Sequence, residues 1–176
     1  MGSEAHRTKT DSATEIQMII LHAAAIMWGK HSGPSASVPG LVAALNAIQN
    51  VHSAIIPTID GDESPPIDPN VPVFHRKALL GPPGQIDLPA PFDHPDLVVF
   101  HSTYIPVHAR IASRLRRAGI PYLICPRGGM TRGATNKKRL KKWLGNQLFF
   151  NRLAHGAAAL HCLTEAEAAL SDAWKR

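Results

Sequence analysis

Two apolar runs constrain this chain more than anything else in it: "DLVVFHS" at 96–102 and "PYLIC" at 121–125. Each is a short block of β-branched, aliphatic and aromatic residues with no polar alternation, which is the pattern of a strand buried on both faces. Strands of that kind belong inside a parallel sheet covered by helices. The rest of the chain keeps the same rhythm. Gln17–Ala23 (QMIILHA) predicts a first strand. A helix follows from near Ser35 or Ser37, with Val38, Leu41, Val42, Leu45 and Ile48 at helical spacing. Ser37, two residues before Pro39, suits a helix cap followed by an early proline. Ser53–Ile56, closed by Pro57, completes a βαβ unit.

Further along, Val107–Ala118 predicts a helix stopped by Gly119, and Tyr122–Cys125 the next strand. Asn136–Leu153 has the pattern of a long amphipathic helix, "AALHCLT" (158–164) that of another strand, and Glu165–Trp174 that of a last helix. Only 57–95 breaks the alternation. It holds ten of the fifteen prolines, so it should be loop apart from a short strand around Val73–His75. The expected fold class is α/β: a Rossmann-like open parallel sheet with helices on both faces.

At 176 residues the chain has room for one substantial domain. Residues 1–16 are expected to be a disordered lead-in and 17–176 the domain. The first residues are polar and carry both charge signs, unlike a cleavable signal peptide. The apolar stretch Met18–Met27 is interrupted by His22 and falls short of a membrane span. Cys125 and Cys162 both sit in apolar segments, where buried thiols in a reducing cytoplasm are expected and a disulfide framework is not.

The net charge of +6 hides an asymmetry. Residues 1–100 carry 5 Lys/Arg against 10 Asp/Glu, whereas 101–176 carry 14 against 3, a net of +11. A basic half of this size suits an anionic partner such as a nucleotide, a lipid phosphate or a membrane surface. Nucleic acid is disfavoured, because neither aromatic platforms nor a recognition-helix pattern accompanies the charge. A solvated basic face would account for the same composition. In "NKKRLKKWLGNQLFFNRL", Leu140, Trp143, Leu144, Leu148 and Leu153 form a stripe suited to packing. Lys137, Lys138, Arg139, Lys141 and Lys142 could instead meet anionic lipid.

In open parallel sheets ligands sit outside the carboxyl ends of the strands, so three loops qualify. "GKHSGPSASV" offers glycines and a helix start, but neither a G-x-G-x-x-G fingerprint nor the ending of a P-loop. "FHSTYIP" places His101 at a strand end. "PRGG" places a permanent planar cation, Arg127, beside Gly128 and Gly129, which lack side chains that would block an approaching group. A turn whose arginine caps a neighbouring helix is the plainer alternative. Neither H-E-x-x-H nor C-x-x-C spacing is present, so a metal site is not expected. There is also no G-x-S-x-G elbow. Glu165 and Glu167 stand at a helix start, where capping explains them without catalysis.

Together, "GPSASVPGLVAALN", "DLVVFHSTYIP", "PYLICPRGGM" and "HCLTEAEAAL" occur in the order and spacing of a known family. Over about residues 17–173 the chain resembles the amino-terminal domain of family-four glycosyltransferases of GT-B fold, most closely the bacterial members that build exopolysaccharide, capsule or lipopolysaccharide. The resemblance implies retaining, metal-independent transfer of a sugar from a nucleotide-sugar donor, with no cofactor, to a saccharide or lipid-linked acceptor. It implies catalytic roles for His101 and Arg127. Gly33, Pro34, Ser35, Ser37, Ser102, Tyr104, Gly128, Gly129, Thr164 and Glu165 would bind substrate. Many members have a paired glycine where this chain has Lys30-His31-Ser32 before Gly33.

The family's second domain binds the nucleotide and carries glutamates seven residues apart, and no stretch of residues 1–176 resembles it. The expectation is therefore an acceptor-side domain, truncated relative to the family. It would be inactive without a donor domain or companion chain, and cytoplasmic, with peripheral contact at the inner membrane face. A non-catalytic saccharide- or lipid-acceptor-binding module, or a truncated remnant, is the alternative.

Overall fold

In a computed structural model of the protein, residues 16–28, 33–60, 68–82, 85–131 and 145–171 are described. The sheet forms from strands β1 (Met18–Ala24), β2 (Val51–Pro57), β3 (Leu97–His101), β4 (Tyr122–Cys125) and β5 (Ala159–Leu160). All pairings are parallel, in the order β2-β1-β3-β4-β5. The chain runs outward from β1 to β2, crosses back, and continues outward on the other side from β3. The direction of winding thus reverses between β1 and β3, and the crevice of such a sheet opens at the carboxyl ends of those two strands.

Helix α1 (Gly33–Asn46) covers one face and α2 (Pro106–Arg117) the other. The alternation of strand side chains decides which residues meet which helix. Ala24 and Ile55 pack with Val38 and Val42 under α1. Leu21, Ala23, Val98, Phe100, Tyr122 and Ile124 pack with Ile111, Ala112 and Leu115 under α2. Each fully buried Leu, Ile or Phe of this kind contributes about 1.5–3 kcal/mol. The expected doubly covered parallel sheet is therefore the one observed.

Details differ from the sequence expectation. Helix α1 begins at Gly33, so Ser37 is not its cap: it is the helix's fifth residue and donates its hydroxyl to the Gly33 carbonyl at 2.7 Å. Pro39 lies inside the helix rather than at its start. The strand expected at Val73–His75 is reduced to a single parallel bridge between Ile55 and Val73, followed by a 3-10 turn at Arg76–Leu79. The described end of the amphipathic stretch is a π-helical turn (Asn146–Phe150) running into α3 (Asn151–His155). β5 keeps only two of its seven expected residues, and the last helix, α4, is Glu165–Leu170. Residues 1–15 of the lead-in expected at 1–16, the loop residues 29–32, and Lys137, Lys138, Arg139, Leu140, Lys141, Lys142, Trp143 and Leu144 lie outside the described residues. Cys125 and Cys162 form no disulfide.

Candidate functional site

Three strand ends supply the site. His101 is the last residue of β3 and pairs in register with Ala24 of β1 and Cys125 of β4. His22 of β1 lies two residues before Ala24, so both imidazoles project from the sheet face that α1 covers. His101 Nε2 lies 2.9 Å from His22 Nδ1, and His22 Nε2 lies 3.3 Å from Ser53 Oγ of β2. All three residues are at most 2% exposed. Burial lowers the pKa of His22 to about 4. Burial lowers that of His101 to about 3, with further lowering from His22 and Arg127. Both rings are neutral at physiological pH.

Past β4, the turn lifts Arg127 over this pair. Arg127 Nη2 lies 3.2 Å from His101 Nδ1, and Nη1 donates to Ser37 Oγ at 2.9 Å. A guanidinium has no acceptor, so it fixes the polarity of the whole row. His101 Nδ1 must accept from Arg127, which leaves the proton on Nε2. That proton points to His22 Nδ1, which accepts, and His22 in turn donates from Nε2 to Ser53. The result is one oriented chain from the mouth of the sheet to its second strand. His101 therefore has both ring nitrogens engaged and serves as the seat of Arg127. Arg127 keeps unused donors: its buried Nε finds no partner among the described residues.

The backbone around this cation is held in unusual conformations. Arg127 has φ 51°, and Ser102 and Tyr104 in the β3–α2 loop have φ 74° and 62°. Left-handed backbone at non-glycine residues typically costs 1–3 kcal/mol each and clusters at functional loops. Gly128 also has positive φ, 78°. Gly129 answers a different need: a Cβ there would fall 2.0 Å from Thr103 Oγ1 and 3.0 Å from the Pro126 carbonyl. The space it leaves is taken by the protein's own β3–α2 loop.

Glu167 closes the turn from the other side. Its carboxylate accepts from the Gly128 N–H and, at 2.8 Å, from the Leu163 N–H. Thr164 caps α4 by accepting from the Glu167 N–H at 3.0 Å.

The residues expected from sequence thus divide. Ser37, His101 and Arg127 come together in one hydrogen-bonded unit, with Gly128 and Gly129 in its turn and Ser102 and Tyr104 in the adjoining loop. Gly33, Pro34 and Ser35 form the first turn of α1, where Ser35 Oγ accepts from the Met27 N–H at 3.1 Å. Thr164 is engaged in capping, and Glu165 is exposed on α4.

This geometry acquires a family from comparison with known proteins. A family model described as a glycosyl transferase 4-like domain matches residues 32–176. The chain belongs to that family. No curated protein gives a significant match. In this glycosyl transferase 4-like domain the matched span contains α1, His101, the Arg127 turn and α4. Sequence reasoning singles out His101 and Arg127 but misses three members of the assembly: His22, Ser53 and the anchoring role of Glu167. The signal for His22 was present: a titratable side chain inside an otherwise apolar strand has to find a buried partner.

Proposed function

We propose that this domain is the acceptor-side half of a glycosyltransferase that moves a sugar from a nucleotide-sugar donor to a saccharide or lipid-linked acceptor in cell-surface polysaccharide biosynthesis. The observation that carries the reading is Arg127, a permanent cation seated on a neutral histidine at the carboxyl ends of the strands. Such a group is suited to a phosphate or to charge developing as a glycosidic bond breaks. His101 is a positioning residue in this reading, because its nitrogens hold Arg127 and are not open to substrate. Gly128 and the Ser102–Tyr104 loop would border the acceptor, and the first turn of α1 the donor side. Turnover requires a second, nucleotide-binding domain across the cleft, since the groups that stabilise the transition state must converge.

Among the described residues no helix is long and apolar enough to cross a membrane. The reading places the domain in the cytoplasm, peripheral at the inner membrane face through Lys137, Lys138, Arg139, Lys141 and Lys142, with no nucleic-acid partner and no metal.

The test is transfer of radiolabel from a panel of nucleotide-sugars to a lipid and saccharide extract. The full chain would be assayed alone and with an added nucleotide-sugar-binding glycosyltransferase domain. Label should transfer only with that domain, and Arg127→Ala should reduce the rate by roughly 10²–10³, the range found when one transition-state donor is removed, with the fold intact. Undiminished transfer by the variant would remove Arg127 from the reaction. Tight retention of saccharide without transfer under any condition would instead favour a non-catalytic acceptor-binding module.

A further inference from the structure

Away from the sheet's mouth, the side of α2 that faces α3 gathers arginines and excludes acids. Arg110, Ser113, Arg114 and Arg117 recur at spacings of three and four, so they share a face of α2. Across an open groove of about 370 Å³ stands Arg152 of α3, with Leu148 and Phe149 beside it. The groove adjoins a depression of about 480 Å³ that Arg116 and His155 also line.

Among the described residues the ion pairs are Arg76–Asp60 and His94–Asp93, so none of these five arginines has a carboxylate within reach. Arg114 donates to the Gly81 carbonyl at 2.8 Å, and Arg116 to Tyr122 Oη at 3.1 Å and to the Arg152 carbonyl at 3.2 Å. Arg110, Arg117 and Arg152 make no side-chain hydrogen bond to any described residue, whereas Leu148 and Phe149 are 55% and 48% exposed.

Cations in the last turn of a helix complement its dipole, which covers Arg114, Arg116, Arg117 and Arg152. It does not cover Arg110 nearer the start of α2, and it gives no reason for two large apolar side chains on the same rim. Uncompensated guanidinium groups flanking exposed Leu and Phe match one kind of surface: anionic headgroups above an acyl boundary.

We propose that this groove docks the protein on anionic lipid, with Arg110, Arg114, Arg117 and Arg152 among the headgroups and Leu148 and Phe149 at the acyl boundary. None of these residues belongs to the lysine-rich segment 137–142, and the docking does not depend on which sugar is transferred.

The experiment is cosedimentation of the full chain with vesicles of phosphatidylcholine alone and of phosphatidylcholine mixed with phosphatidylglycerol. Binding is expected only to the mixed vesicles, weakening as salt is raised. Replacing Arg110, Arg117 and Arg152 by Gln should weaken it roughly 100-fold, at about fivefold per cation near an anionic surface. Leu148→Ser with Phe149→Ser should also weaken it, and Tm should not move because all five side chains lie on the surface of the groove. A variant with Lys137, Lys138, Lys141 and Lys142 changed to Gln should still bind in an arginine-dependent way. Vesicle binding that survives the arginine changes overturns the proposal, whether the lysines carry it or not. So does displacement by inorganic phosphate alone, which would mark a free-anion pocket, or tighter arginine-dependent binding to duplex DNA than to vesicles.

Discussion

Arg127 can only donate hydrogen bonds, and that single property orders four other side chains around it. The cation, its glycines and the strand-end histidine were legible in the sequence, because an arginine followed by two glycines at the end of an apolar run has few structural uses. The separate task of each glycine was not legible. Gly128 supplies a positive φ, but Gly129 supplies room, and the occupant of that room, Thr103, is twenty-six residues away. Gly129→Ala would bring a methyl group to 2.0 Å from Thr103 Oγ1, so the loop bearing Ser102 and Tyr104 must shift. A loss of about 1–3 kcal/mol in urea unfolding is expected, the usual range for overpacking. Thr103→Ala in the same chain should restore much of it, because the hydroxyl is the nearest obstacle. If the double variant is as unstable as Gly129→Ala, the contact with Pro126 or backbone strain is the cause instead.

At the scale of elements, legibility followed burial. β1, β3, α2 and β4 were recognisable within a residue or so because each is apolar where it meets the core. β5 was not, since Ala159 is exposed and only two residues pair with β4. Glu167 reaches from the first turn of α4 to the Gly128 N–H in the turn after β4, and so ties two strand-end loops together. Sequence reasoning recognised a carboxylate at a helix start but could not see that its partner was another loop. Glu167→Gln should cost about 1.5–3 kcal/mol, as expected for hydrogen bonds to a buried charged group. Glu165→Gln, at an exposed site, should cost less than about 1 kcal/mol. Equal effects in thermal unfolding would reduce Glu167 to an ordinary dipole partner.

For the molecule as a whole, the unusual feature is a core that contains neutral histidines on both sides of its sheet. His22 and His101 lie under α1, and His108 of α2 packs against Phe100 on the other face with its Nε2 3.1 Å from Thr58 Oγ1. Burial lowers His108 to about 3, alongside about 4 for His22 and about 3 for His101. In the unfolded chain each returns to an ordinary value near 6.5. Between pH 6.5 and about 4 the unfolded state therefore holds more protons than the folded one, and stability must fall as the pH drops through that window. Well inside it, each group contributes a slope of about 1.36 kcal/mol per pH unit. Three such groups would remove roughly 4–6 kcal/mol between pH 6.5 and 5, a large part of the 5–15 kcal/mol that holds an ordinary domain together. Urea midpoints at pH 7, 6 and 5 measure this directly. His108→Gln, which keeps a polar group facing Thr58 but cannot be protonated, should flatten the slope by about a third. An unchanged slope in that variant would mean that His108 is solvated in the folded protein, and the packing of α2 over Phe100 would then be looser than its contacts imply.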